Sequence, residues 1–241
     1  MAVAENERDA LISLFSERGW PVDGQKADQL MTYYRMLVEK NRVMNLTRIT
    51  DFQDALIKHF ADSLMIADHV DLDHVGTVLD LGSGAGFPGV PLRIMYPHLH
   101  LVMIDSVGKK MSFVQDVIDE LQLAHTEARH VRAEDLARDR KHREQYDLVV
   151  SRAVANLSTL AEYCLPFVKT GGCFAAYKAE NCEDEVAEAA AAIRKLGGEP
   201  ADVRKYSFSG LGRAIVLVKK KSATPALYPR KAGTPAKEPL R

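Results

Sequence analysis

The stretch V-L-D-L-G-S-G-A-G-F-P-G at residues 78–89 carries the most specific chemistry in the chain. Glycines at 82, 84, 86 and 89 follow directly on an apolar run that contains Asp80. A strand ending here, and a helix opening near Pro88, leave a bare backbone between them, since proline suits a first helical turn. Such a junction lets a ligand touch the main chain and use the free N–H groups of the helix. Dinucleotides and S-adenosylmethionine are both bound in this way. Gly84, Gly86 and Gly89 satisfy G-x-G-x-x-G, a weak match taken alone. In dinucleotide folds, however, the first glycine follows the strand directly. Here that residue is Gly82, and counting from it puts Phe87 in the third glycine position. A strand with a terminal acid followed by G-x-G-x-G is the methyltransferase form, in which the acid orients the loop and the methionine end of the cofactor.

Further residues of suitable type fall at later strand ends. The run L-H-L-V-M-I-D-S ends a second strand in Asp105, whose carboxylate can accept both ribose hydroxyls. The same aspartate also reads as a helix cap before V-G-K-K. In R-H-V-R-A-E-D-L, Ala133 and Glu134 fall in a loop where an adenine can be read by backbone and carboxylate. Arg152 closes the fourth strand and is either a holder of a carboxylate or phosphate or an ordinary surface arginine. Neither Asn-Pro-Pro-Tyr nor Asp-Pro-Pro-Tyr follows that strand, which argues against methylation of an exocyclic base amine. The absence of Pro-Cys there argues against a C5-pyrimidine enzyme with a thiol nucleophile. The histidines show no H-E-x-x-H or other metal-ligand spacing, and Cys164 reads as a small core residue.

Positioning these groups requires alternating elements. Strands are expected at about 77–81, 100–105, 127–131, 147–151, 172–178, 202–207 and 213–219, with helices at 88–96, 108–122, 156–168 and 181–196 between most of them. This alternation implies a mostly parallel sheet with helices on both faces. The connection S-G-L-G is too short for a crossover, so the final strand is antiparallel. Before residue 76 the patterns are helical. Ala27, Leu30, Tyr34, Leu37 and Asn41 mark one helix face, and Leu56, Phe60, Leu64 and Ala67 mark another, with Asp51 as an N-cap. The expected organisation is a helical cap over 1–75, a cofactor-binding domain over 76–220 and a basic, proline-rich tail over 221–241. The tail, with four prolines and Glu238 as its lone acid, reads as a solvated end or an arm laid on something negative, and not as a core element.

Bulk properties bound the answer. At 241 residues, 46% hydrophobic and 27% charged, the chain can bury a core without disulfides or metal. A net charge of −1 excludes an overall basic nucleic-acid binder while leaving room for local basic patches. Three cysteines without a pattern, no leader-like N-terminus and no long apolar run suggest a cytoplasmic protein without a membrane span.

Taken together, N-L-T-R-I at 45–49, H-F-A-D-S-L at 59–64, L-D-L-G-S-G-A-G-F-P-G-V-P-L at 79–92, D-S-V-G-K-K-M-S-F-V at 105–114, Y-D-L-V-V-S-R-A-V-A-N-L at 146–157 and Y-P-R-K-A-G-T-P-A-K-E-P-L near the end resemble the ribosomal RNA small subunit methyltransferase G family. The resemblance implies a class I, Rossmann-like S-adenosylmethionine-dependent methyltransferase fold. It further implies methyl transfer to N7 of a guanine in the 530 loop of 16S rRNA, with the small ribosomal subunit as partner. It places cofactor contacts on Gly82, Phe87, Ala133, Glu134 and Arg152. A guanine N7 offers an in-plane lone pair, so no general base is required and none is assigned. Phosphate contacts are sought among Lys219, Lys220, Lys221, Arg230, Lys231, Lys237 and Arg241, and among Arg35, Lys40, Arg42 and Arg48. On this reading, removal of residues 222–241 weakens RNA binding and spares the cofactor. Competing readings are a small-molecule methyltransferase, an NAD-dependent oxidoreductase, and an RNA-binding assembly factor that keeps the fold without activity.

Overall fold

The computed structural model describes residues 2–152 and 155–241, so Ala153 and Val154 of the S-R-A-V segment lie outside the described residues. Its centre is a seven-stranded sheet in the order β3-β2-β1-β4-β5-β7-β6. The strands are β1 (Thr77–Leu81), β2 (His100–Asp105), β3 (Thr126–His130), β4 (Tyr146–Arg152), β5 (Val168–Ala179), β6 (Asp202–Phe208) and β7 (Leu211–Lys219). β1 to β5 are parallel, and β7 runs antiparallel between β5 and β6. The expected strands are all present and the reversed last strand is where the short S-G-L-G connection required it. β5 is longer than expected at its start.

Alternation along each strand sorts the core into two layers. Val78, Leu148, Val150, Ala175 and Ile215 face one of them, and Leu79, Val149, Phe174, Ala176 and Val216 the other. The first layer is covered by α2 (Gly24–Met44), α5 (Gly89–Met95) and α6 (Gly108–Glu120), and by a helical run that begins with α3 (Phe52–Ala55). The second is covered by α8 (Leu157–Cys164) and α9 (Glu183–Lys195). The N-terminal helix α1 (Ala2–Glu17) joins the first layer through Leu11 and Phe15. Within the described residues, no helix is long and apolar enough to cross a membrane.

Two helical expectations change in detail. Asp51 caps α3, its carboxylate accepting from Asp54 N–H at 3.1 Å. The run then passes into a π-helical turn, Leu56–Ala61, before α4 (Asp62–Leu64). The wider turn breaks the simple stripe, and His59, Phe60, Ala61, Asp62 and Ser63 are all buried in succession. In α2 the fully buried tyrosine is Tyr33, while Tyr34 is half-buried and donates to Thr50 O at 2.8 Å.

The larger correction concerns the C-terminus. Residues 222–241 do contribute to the core: Tyr228 and Leu240 belong to the second layer, and Thr224 and Pro235 are buried. Arg143 ties the segment down by donating to Thr224 O and Tyr228 O, both at 2.8 Å. Lys220, expected as a phosphate contact, is 2% exposed. Its ammonium donates to Leu165 O, Val168 O, Thr224 Oγ1 and Glu144, which satisfies a charge that would be costly to bury alone. Composition pointed to an arm because prolines and cations are poor at local structure. Long-range carbonyl and carboxylate partners supply what the local sequence lacks.

Candidate cofactor site

The carboxyl ends of β1, β2 and β4 converge on the glycine loop, the edge at which open α/β sheets take ligands. A cavity of about 440 Å³ opens there, within the size range of small-molecule sites. Leu81 and Gly82 line it from the first strand and loop, Ile104 and Asp105 from the second, and Ala133 and Glu134 from the third crossover. Lys110, Arg132, Tyr163 and Ala236 complete much of the remaining wall. The sequence-derived set Gly82, Asp105, Ala133 and Glu134 is therefore gathered around one space.

Each member has a defined support. Asp105 Oδ2 accepts from Gly84 N–H at 3.0 Å and Oδ1 from Val107 N–H at 2.8 Å. The aspartate thus caps the turn before α6 and braces the glycine loop, and each oxygen retains capacity to accept a second hydrogen bond. Ala133 and Glu134 form the first turn of a short helix, α7 (Ala133–Leu136), where a loop was expected. Glu134 Oε1 accepts from Gly233 N–H at 2.8 Å. An uncharged backbone floor, one carboxylate at the β2 tip and one in the first turn of α7, and apolar walls from Ile104, Val107 and Val131 suit a nucleoside with a charged amino-acid end.

Phe87 and Arg152 lie apart from this cavity lining, in a buried polar cluster at the same sheet edge. Arg152 donates to Asp62 Oδ2 at 3.0 Å and to Lys58 O at 3.2 Å, and its guanidinium stands 5.1 Å from the Phe87 ring centroid. The His59 ring stacks on the same Phe87 ring, with centroids 4.5 Å apart. Asp62 also accepts from Tyr206 Oη at 2.9 Å. Burial, and then the Arg152 guanidinium, hold the His59 imidazole down to about 3, so it stays neutral at physiological pH. Arg152 is accordingly neither a free phosphate holder nor a plain surface arginine.

Tyr33, His59 and Asp62 were not singled out from sequence. Tyr33 donates to Ala85 O at 2.6 Å, holding the glycine loop from beneath. The one signal for the other two was a histidine and an aspartate inside the helical run H-F-A-D-S-L, beside the apolar positions Phe60 and Leu64. Among the expected phosphate contacts, Lys40 pairs with Asp116 at 3.1 Å. Arg230 is clamped on Glu162 at 2.7 Å, which corrects its reading as an RNA contact. Lys231 beside it is exposed.

Asp80 shows how burial conditions the loop. It is fully buried; Oδ2 accepts from Gly89 N–H at 2.9 Å, and Oδ1 has no hydrogen-bond partner among the described residues. Burial pushes its carboxyl up from 3.8 to about 6. A raised folded value favours the neutral form, so this contribution is complete below about pH 4 and is lost as pH rises through 6. The loss is on the order of 3 kcal/mol. Asp80→Asn keeps an acceptor for Gly89 and removes the charge. In urea unfolding from pH 4 to 7, the variant should gain on the parent by roughly 2–3 kcal/mol; a constant difference over that range would rule the burial effect out.

Comparison with known proteins agrees with this geometry. A family model described as rRNA small subunit methyltransferase G matches residues 26–211. The ribosomal RNA small subunit methyltransferase G of Exiguobacterium sp. is 46% identical over 237 residues, covering 98% of this chain and 99% of that protein. The Bacillus velezensis protein of the same name is 43% identical, covering 96% and 98%. Among solved structures, an O-methyltransferase from Bacillus cereus in complex with SAH superposes with a TM-score of 0.59 at 15% identity, over 88% of this chain and 97% of that one. At that identity the likeness establishes the class I methyltransferase fold and nothing finer. The glycine register, the strand order and the near-complete coverage by these relatives lead to one assignment: the chain belongs to the rRNA small subunit methyltransferase G family.

Proposed function

We propose that this protein is a cytoplasmic enzyme that methylates 16S rRNA from S-adenosylmethionine, acting on N7 of one guanine in the 530 loop within the small ribosomal subunit. The observation that carries the reading is the cavity at the glycine loop in a chain of this family, bounded by Gly82, Asp105, Ala133 and Glu134. When bound, S-adenosylmethionine supplies a methyl group made electrophilic by its sulfonium. Asp105 holds the ribose hydroxyls, and Ala133 with Glu134 reads the adenine edge. Phe87 and Arg152, fixed by His59 and Asp62, shape the adjoining end of the loop.

A guanine N7 needs no deprotonation before attack, because its lone pair already lies in the base plane. The chain's task is therefore placement: holding acceptor and donor in line, with water kept out, can supply much of the acceleration. The target base is splayed from its loop to reach the site, as bases modified within folded RNA generally are. Lys231, Lys237 and Arg241 on the C-terminal segment contact RNA phosphates.

The test uses tritiated S-adenosylmethionine and small subunits from cells lacking this protein, followed by cleavage at 7-methylguanine and mapping. A single new cleavage in the 530 loop is expected. Gly82→Asp, which adds a carboxylate beside Asp105 and Glu134, should abolish it. Label elsewhere in the RNA would overturn the target, and absence of label on competent subunits would overturn the enzyme reading.

A further inference from the structure

The cavity has one wall that comes from far along the chain. Ala236, in α10 (Thr234–Lys237), lines it together with Tyr163 and Glu134. The hydrogen bonds joining residues 231–237 to the body of the protein are Gly233 N–H to Glu134 Oε1 at 2.8 Å and Thr159 Oγ1 to Pro235 O at 3.0 Å. Glu134 therefore faces two ways: it lines the cavity and holds the C-terminal turn by its backbone.

The turn is set in place by a buried clamp. Glu162 is 0% exposed. Its carboxylate accepts from Arg230 N–H at 2.8 Å, from Nε at 2.9 Å and from Nη2 at 2.7 Å. Arg230 Nη2 also donates to Glu238 O at 2.6 Å, so one guanidinium joins both ends of the segment that carries α10. A forked, charge-assisted contact of this kind fixes orientation as well as distance. Glu162 meets no cavity surface itself.

We propose that residues 230–238 are a structural wall of the cofactor site, with Glu162 and Arg230 as positioning residues, so that cofactor binding and docking of this segment stabilise each other. The proposal rests on the reading of the cavity as the S-adenosylmethionine site. It replaces the sequence-based expectation that loss of the tail spares the cofactor. Coupling between two equilibria is reciprocal, so it has two independent signatures. Loosening the segment weakens the ligand, and the ligand tightens the segment.

S-adenosylhomocysteine, the stable product, is the probe. Calorimetry should show Glu162→Gln binding it at least tenfold more weakly than the parent. Gly233→Ala tests the same link without touching the clamp. Its φ of +84° disfavours a side chain, yet an added Cβ meets nothing within 4 Å, so it perturbs only the backbone that offers the amide to Glu134. A loss of several-fold is expected. In the unaltered protein, saturating S-adenosylhomocysteine should slow hydrogen exchange over residues 231–238 by tenfold or more. This last measurement needs no variant and decides the matter if Glu162→Gln fails to fold. Ligand binding with unchanged exchange over 231–238 and parent-like affinity in Gly233→Ala would overturn the coupling while leaving the cofactor reading intact. Absence of any binding by the unaltered protein would overturn the cofactor reading, and the proposal with it.

Discussion

Gly86→Ala is expected to reduce S-adenosylmethionine affinity by about 100-fold and to cost about 3 kcal/mol of stability, because the new methyl group has nowhere to go. The residue sits at φ +104°. An added Cβ would lie 2.7 Å from Val90 Cγ2 and 2.9 Å from Tyr33 Oη. Val90 belongs to α5, whose start the loop defines, and Tyr33 is the donor that holds Ala85 O. The two contacts cannot both be relieved without lifting the loop off α2. Gly84→Ala is the control. It shares the left-handed backbone, at φ +61°, but its Cβ meets only Gly82 O at 4.0 Å, leaving a strain of about 1–2 kcal/mol. Thermal unfolding and calorimetric titration on both variants check the argument, and equal effects would show that strain alone is at work.

Arg152→Met should be the most destabilising single change at the site, at about 3–5 kcal/mol, which is roughly a 10 °C fall in Tm for a chain of this size. The methionine fills the space over Phe87, but Asp62, whose side chain is 5% exposed, keeps its charge. Tyr206 Oη remains as a donor, and Arg213 stands 3.7 Å away; neither replaces a buried guanidinium at 3.0 Å. Removing both charges in Asp62→Asn with Arg152→Met should restore much of the loss, because the penalty comes from the orphaned partner and not from the absent bond. Strictly additive losses in this cycle would exclude that explanation.

The fold was readable because strand periodicity and turn length are local. The run L-D-L-G-S-G-A-G fixes where β1 stops, and S-G-L-G leaves no room for a crossover. The cavity residues Gly82, Asp105, Ala133 and Glu134 were readable for the same reason, since each lies at or shortly after a strand end. What escaped is non-local or out of phase. Tyr33 and Tyr34 are neighbours 100° apart on a helix, and the spacing rule chose the less buried one. Glu162 lies 68 positions from Arg230, and Glu134 lies 99 from Gly233. No periodicity within the C-terminal segment announces partners at such distances, so its prolines and cations gave the impression of a free arm. Arg152 was correctly located at a strand end, but its partner Asp62 is contributed by a helix folded on from the other end of the chain.

The position of β7 has a consequence for how the molecule comes into being. It is the last strand in sequence, yet it lies inside the sheet between β5 and β6, and the segment beyond it completes the second core layer. A chain synthesised only as far as β6 has β5 and β6 but nothing to join them, and the apolar faces of both stay open. Closure must wait until β7 itself has been made. The sheet is thus completed by inserting its last-made strand between two made before it, and not by adding a strand at its edge.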